Sequence, residues 1–565
     1  MIFLPDGKYW RLERCCFGVG SGKKKGDESM RGVVAAPQPR AAEAGAHVLE
    51  QGGNAFDAAI AAAFCQMVVD PFMCGLGGMG TCHFFSAGDG EHGILDFYNR
   101  AGSRVVPGMW EKDVAEYTPI SGYSVFDDYR SEIGYQSIMT PGTVAGFAAL
   151  HQRFGTWDWG DLLAPAMEIL DGGFPLPYYV TVFFHRETQP GIPDAAIRLS
   201  ATEEMKRIWL KPDGTFYRGG DTVRNDDMLN TLRRLAEKGP GDLYTGGIAR
   251  EIIGDFEKNG AYVTAEDLRN YRVRWREPLH IRYGGYDVFS NPPPGGGLTA
   301  LETLSFLETL GLSAFDHSEG EHLHLLASAM AWAHADRKKF LADPEFADVP
   351  VEDLLGEARR REVQTAIGRG QLPGPTVPDP ETSTTHLAVW DADDNVVSVT
   401  HTIGTSSGVI TPGLGFMYNN SMKLAAVDPE SPNAMAPGKA RTSGMCPTIV
   451  FKDGRAVATA GAPGGFVIIN SVLQSLLNVL DFGMSPVEAV SAPRIHCEGQ
   501  AVYCEARILT RAVEELRSRG HRVEHMSESY APIMSRAQLI VRDEKGLRGA
   551  SDPRRDGGVA AVARG

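Results

Sequence analysis

No run of about 18 apolar residues occurs anywhere in this 565-residue chain, so a membrane-spanning helix is not expected. Cysteine is present but unpaired in pattern. The eight cysteines form no CxxC set, which argues against a zinc ribbon or a disulfide framework. Most lie in apolar settings such as Phe64-Cys65-Gln66-Met67-Val68, as buried thiols in a reducing compartment do. Fifteen histidines include no HExxH, so no metal is expected. His322 and His324 read as residues that cap or flank the helix following them. Positive charge is in deficit: 55 Lys and Arg face 71 Asp and Glu, for a formal charge of −16. That balance argues against nucleic acid and against anionic membranes as partners. The glycine run 75–80 precedes a strand instead of following one, so it is no dinucleotide fingerprint, and no Walker pattern exists. No cofactor is expected. The first 29 residues are basic and lack the apolar core of a secretory signal. They read as a disordered arm or a start-site artefact, with Met30 a more natural beginning. A cytoplasmic location is the corresponding expectation.

What the chain does have is a threonine in an unusual place. Ser383-Thr384-Thr385-His386-Leu387-Ala388-Val389 opens a β-branched, alternating segment. It continues through a polar turn, Asp391 to Asn395, into Val396-Val397-Ser398-Val399-Thr400-His401-Thr402, and the pattern predicts a hairpin. Residues 372–380 carry four prolines and form neither helix nor central strand. A proline-rich tether therefore runs into a strand that opens on Thr384. A cut before Thr384 would place a hydroxyl and a new α-amine on one residue, a self-contained nucleophile and base. An α-amine has a pKa of about 7.7–8.0 against about 10.4 for lysine, so more of it is a neutral base near pH 7. An uncut Thr384 has only an amide nitrogen and reads as an ordinary strand threonine. His386 shares its face of the strand and is a second candidate base, although a structural role fits it better.

The rest of the chain reads as α/β. Two helices flank Gly52-Gly53, the second capped by Asn54. Residues 98–135 are rich in aromatics, either an insertion packing on itself or a wall of a substrate pocket. Helical pattern dominates 142–170 and 203–270. A Pro-Gly break at 291–297 precedes helices over 298–312 and 323–340. Strands 447–451 and 456–460 flank an Asp453-Gly454 turn, and Gly461-Ala462-Pro463-Gly464-Gly465 feeds a helix over 467–480.

Several of these segments, in this order, resemble the γ-glutamyltransferase family of N-terminal-nucleophile hydrolases. The matching motifs are Gly52-Gly53-Asn54-Ala55-Phe56-Asp57, Gly77-Gly78-Met79-Gly80, Pro141-Gly142-Thr143, His334-Ala335-Asp336-Arg337, Thr384-Thr385-His386, Pro463-Gly464-Gly465 and Ala550-Ser551-Asp552-Pro553-Arg554. The resemblance implies a four-layer αββα sandwich made as one precursor. Cleavage between Ser383 and Thr384 would give a large chain, 30–383 after the arm, and a small chain, 384–565, that stay associated. A higher homo-oligomer is compatible with this. Thr384 would be the nucleophile, Thr402 its support, and Gly464 and Gly465 the oxyanion hole. Glycines suit that role because they let backbone N–H groups approach developing charge. Ser443 matches one of two serines that hold the glutamyl carboxylate.

Other positions depart from the family pattern. The arginine expected after Asp96-Phe97 is Tyr98, with Arg100 two residues further on. The second carboxylate-binding serine is Gly444. The groups expected to hold the α-amine become Gly404, Ser421 and Leu424, and the lid segment between Met422 and Thr442 is short. A charge-assisted hydrogen bond contributes about 1.5–3 kcal/mol, so losing several costs orders of magnitude in affinity. The expectation is an amidase or acyltransferase for a small-molecule amide with a less charged or apolar acyl group. Tyr98, Arg100, Ser421, Ser443 and Gly444 would line its pocket. The alternatives are a true γ-glutamyltransferase, with Arg100 replacing the clamp, and an uncleaved binding protein on the same scaffold.

Overall fold

The computed structural model describes residues 30–117, 124–185, 192–374, 383–465 and 467–563. The arm 1–29 and most of the proline-rich tether lie outside the described residues. Among the described residues no helix is long and apolar enough to cross a membrane.

Two antiparallel sheets organise the chain. The first has seven strands, in the order Gly558–Ala563, Met30–Ala36, Thr385–Asp391, Val396–Thr402, Met79–Ser86, Glu91–Phe97 and Arg274–Arg276. The second has six: Gly546–Ser551, Gln538–Asp543, Arg455–Gly461, Thr448–Lys452, Tyr286–Ser290 and Leu279–Tyr283. The hairpin expected at Thr384 forms, with Thr385 opposite His401 and Trp390 opposite Val396. Its turn is built by Asp391, whose Oδ1 accepts from the Asp393 and Asn395 backbone N–H groups at 3.0 and 2.9 Å. The Asp453-Gly454 turn has φ of 50° and 75°, the doubly positive geometry that suits a two-residue hairpin.

Side-chain alternation decides which way each hairpin residue faces. Leu387 and Val389 join a core against the helices Pro39–Glu50 and Ala55–Val69. Every residue of Ala55–Val69 is buried, which explains an alanine-rich helix with no polar face. Asn54 starts it with a capping box: its side chain accepts from Phe56 and Asp57 N–H groups. Ala388 and Trp390 point the other way. With Val33, Ala35 and Val396 they meet Ile449, Phe451, Ala456 and Ile540 of the second sheet. The far side of that sheet is covered by helices Gly297–Leu310 and Val467–Leu480, with Gly320–Phe340 packed beyond the first of these. Thr384, in phase with Ala388 and Trp390, therefore opens toward the space between the sheets.

Within that space His83 and His92 stack with ring centroids 4.9 Å apart and Nε2 atoms at 2.7 Å. Burial drives the His83 pKa well below that of a free imidazole, and burial followed by repulsion from His280 lowers His92 to about 4.

One expectation changes. His322 and His324 do not cap or flank a following helix. Gly320–Phe340 begins before them, and both are buried within it, His322 against Phe482 and His324 bonded to His521. The described residues of the aromatic stretch 98–135 are largely irregular and pack on one another, the first of its two readings. Trp110 lies against Phe126 at 5.4 Å, in a satellite core with Met422, Val427 and Met435. The short segment after Met422 is thus anchored on this insertion.

Candidate active site

The described residues around Thr384 are those of an uncut chain. The Thr384 hydroxyl donates to the carbonyl oxygen of Ser383, the residue before it. The Thr402 hydroxyl donates to the same oxygen at 3.1 Å. Thr402 Oγ1 in turn accepts from the Gly404 N–H at 2.9 Å, which directs its single proton toward Ser383. Ser383 Oγ lies against the carbonyls of Phe72, at 3.0 Å, and Gly404. Ser383, Thr384 and Thr402 are all buried. The carbonyl between Ser383 and Thr384 is therefore fixed and polarised beside a hydroxyl.

The opposite face of the same strands is locked by amides. Gln38 and Gln66 each donate to Thr385 Oγ1 at 3.1 Å, and His401 Nε2 donates to Gln66 Oε1 at 2.8 Å. Thr385 follows Thr384 and His401 precedes Thr402, so this cluster holds both threonines from behind. Sequence reading did not find Gln38 or Gln66, which lie more than 300 residues from Thr385 in the chain.

The glycine turn arrives from the second sheet. Strand Arg455–Gly461 ends beside His386, where a Cβ on Gly461 would lie 2.0 Å from the imidazole Cε1. His386 bonds Thr400 Oγ1 at 2.9 Å, and burial lowers its pKa to about 3. These contacts fit the structural role expected for it. Gly464 and Gly465 then take φ of 129° and 66°, values that favour glycine, before helix Val467–Leu480. Ser535 supports this turn. Its hydroxyl donates to the Pro463 carbonyl, and a Cβ on Gly464 would meet it at 3.2 Å. Gly465 lines the pocket at Thr384, close to the N-terminal end of that helix.

The pocket is small, about 50 Å³, and Ser383 forms part of its wall. The remaining wall includes Gly404, Ser421, Leu424, Ser443, Gly444 and Ile468. Three of the expected substrate-binding residues, Ser421, Ser443 and Gly444, thus come together. Ser421 Oγ is engaged, donating to Asn99 Oδ1 at 2.8 Å. Ser443 Oγ accepts from the Met445 N–H at 3.1 Å.

Tyr98 and Arg100 are not on this wall. Tyr98 is buried, with its hydroxyl 3.5 Å from Asn291 Nδ2. Arg100 bonds Asp343 Oδ2 at 2.9 Å and lies 3.5 Å from Glu345. Asp343 is fully buried, and an unpaired buried carboxylate is costly, so Arg100 is held where it is. Arg100 is thus engaged by Asp343 and is not among the residues lining the pocket.

Gly404 has a local reason. Its φ is 65°, and a Cβ there would sit 2.3 Å from Asn420 Oδ1. Asn420 fills the space, donating to Thr405 Oγ1 at 2.7 Å and accepting from its N–H at 3.0 Å. Two cations missed by sequence reading, Lys423 and Arg441, also line the pocket. Lys423 lies 3.3 Å from Glu132. Among the lining residues there is no Asp or Glu to receive an ammonium group. One signal for Arg441 was available, since it precedes Ser443 by two residues.

The gamma-glutamyltranspeptidase family profile matches residues 41–562. The chain is 31% identical to a glutathione hydrolase proenzyme of Escherichia coli (strain K12), covering 93% of this chain and 91% of the relative. It is 33% identical to the Acylase ACY 1 proenzyme of Pseudomonas sp. (strain V22), covering 96% of each. Among solved structures, a cephalosporin acylase from Bacillus halodurans superposes with a TM-score of 0.82 at 29% identity, over 98% of this chain and 99% of that one. Helicobacter pylori gamma-glutamyltranspeptidase gives 0.53 at 30% identity, over 61% of this chain and 93% of that one. The fold is mixed α/β like these N-terminal-nucleophile hydrolase structures, and the protein is an enzyme of the amidohydrolase and acyltransferase kind. The chain belongs to the gamma-glutamyltranspeptidase family.

Proposed function

We propose that this protein cleaves itself before Thr384 and then hydrolyses or transfers an acyl group through an ester on Thr384. One observation carries this reading: the Thr384 and Thr402 hydroxyls converge on the Ser383 carbonyl. In the first step Thr384 Oγ adds to the Ser383 carbonyl carbon. Thr402 supports the oxygen that gains charge, the C–N bond breaks, and the nitrogen takes the proton. Water then hydrolyses the ester, leaving a Ser383 carboxylate and a free α-amine on Thr384. That amine is the base for later turnovers. Substrate amide is attacked by the same oxygen, with the oxyanion held by N–H groups at Gly464 and Gly465. The leaving amine takes the proton and water releases the acid. The names of the proenzyme relatives agree with processing. On this reading the two packed sheets and their flanking helices form a four-layer αββα sandwich, which the cleavage would divide into chains 30–383 and 384–565.

The acyl group on this reading is not a γ-glutamyl zwitterion. Leu424 and Ile468 offer apolar surface, and Arg441 adds positive charge beside a Lys423 that Glu132 already pairs, so an acyl chain carrying a carboxylate but no ammonium suits the pocket. This narrows the less charged or apolar acyl group expected from Tyr98 and Leu424. Two relatives named as acylases support an acyl group outside the γ-glutamyl class. Intact-mass analysis tests the reading. The wild type is expected as two chains broken between Ser383 and Thr384, and Thr384→Ala as one chain. A wild type that stays a single 61.2 kDa chain would instead support the non-catalytic alternative.

A further inference from the structure

A cavity of about 700 Å³ lies apart from the Thr384 pocket, and no step above uses it. Its size falls in the usual range for small-molecule sites, roughly 300–1,000 Å³. Phe174, Pro175, Leu176, Pro177, Tyr178 and Tyr179 give it an apolar, aromatic wall. Its polar part is Gln38, Arg40, Asp70, Arg555 and Asp556, with the Arg555 guanidinium set against the aromatic wall. Arg555 Nη2 contacts both Asp70 oxygens at 3.0 and 3.1 Å, and the guanidinium plane lies over the Tyr179 ring, 3.2 Å from the centroid. Nη1 and Nε of Arg555 make no hydrogen bond among the described residues. Arg40 and Asp556 are exposed and also line the cavity. Tyr179 Oη is buried on the same wall, with no hydrogen-bond partner among the described residues.

We propose that this cavity is a second ligand site, for a small arylalkyl carboxylate. An arginine stacked on an aromatic ring with donors to spare is suited to a carboxylate, and the ring surfaces take the aryl group. One anionic group is assigned and not a polyanion, because Asp70 and Asp556 offset the cations. The site is distinct from the acyl pocket, since the two share no lining residue. It is also connected to the nucleophile. Asp70 bonds Gln38 and Gln38 bonds Thr385, so the cavity floor lies one buried relay away from Thr384.

Dansylglycine is a fluorescent probe of this class, and dansylamide is its counterpart without the carboxylate. Both are titrated into full-length Thr384→Ala protein, where the acyl site cannot turn over. The expected result is saturable one-to-one binding of dansylglycine, with dansylamide at least tenfold weaker. Arg555→Met removes that difference. Because Arg555→Met uncovers Asp70 and is at risk of misfolding, Tyr178→Ala is the second variant. Its side chain is 76% exposed, so folding is spared, and dansylglycine binding weakens at least fivefold. The proposal is overturned by equal affinity for the two probes, by an unaltered Tyr178→Ala, or by no saturation up to about 1 mM, where binding is worth only about 4 kcal/mol.

Discussion

The two sides of the Thr384 pocket differ in how they are built. On one side, Thr384, Thr402 and the Gly464-Gly465 turn are held by bonds that leave each group aimed at one carbonyl or at the pocket. On the other, Gly404, Ser421 and Leu424 stand where a clamp for an α-amine is expected. Asn420 closes over Gly404, Asn99 takes the Ser421 hydroxyl, and Leu424 has no charge. The side proposed to react depends on backbone and hydroxyl geometry. The recognition side depends on side chains that can be re-lined without disturbing the fold. Reaction and substrate are therefore separable here.

The sharpest way to break the reacting side is at Thr402. Thr402→Val keeps the shape and removes the hydroxyl on the Ser383 carbonyl. Processing is expected to slow by about 10²–10³-fold, the usual cost of one oxyanion donor. The appearance of the small chain over time, followed by mass, reads it directly. Processing at the wild-type rate would show that Thr402 is only a strand residue.

Arg100 separates fold from recognition. Arg100→Met leaves Asp343 buried without its cation, though still bonded to the Ala440 N–H at 2.8 Å. A stability loss of about 3 kcal/mol is expected in denaturant titration, with KM within about twofold of wild type. A large rise in KM at unchanged stability would return Arg100 to the pocket.

A smaller effect concerns the space between the sheets. His83 and His92 are neutral in the folded protein and take up protons only well below pH 6.5, His92 at about 4. The unfolded chain protonates near 6.5, so it binds more protons between those limits, and stability falls as pH drops from about 6.5 toward 4. His92→Phe keeps the stacking and is expected to make the acid side of the melting-temperature profile shallower. An unchanged slope would assign the acid loss to other groups.

Much of this was legible because it is local. The hairpin at Thr384 follows from alternation and from Asp391 in the turn, and Asn54 announces its helix by capping chemistry. The glycine turn was readable because only glycine fits φ of 129° and 66° ahead of a helix. What was not legible depends on partners far along the chain. Arg100 is two residues from where an arginine was expected, but its fate is set by Asp343, 243 positions away. Gly404 reads as a lost asparagine until Asn420 is seen in its space. His322 and His324 look like flanking residues because nothing local shows that the helix starts before them. Gln38 and Gln66 carry no signal at all, since an amide just before a helix or inside one is unremarkable until a strand threonine is placed beside it.

The separation of reaction from substrate is tested most directly by two anilides that differ only in an amine. Glutaryl-p-nitroanilide and γ-glutamyl-p-nitroanilide present the same chain length and carboxylate, and only the second carries the α-ammonium group. With no carboxylate on the pocket wall to receive it, the account predicts kcat/KM for the glutaryl compound at least equal to that for the γ-glutamyl compound. A preference of tenfold or more for γ-glutamyl, with saturation at micromolar concentrations, would contradict it.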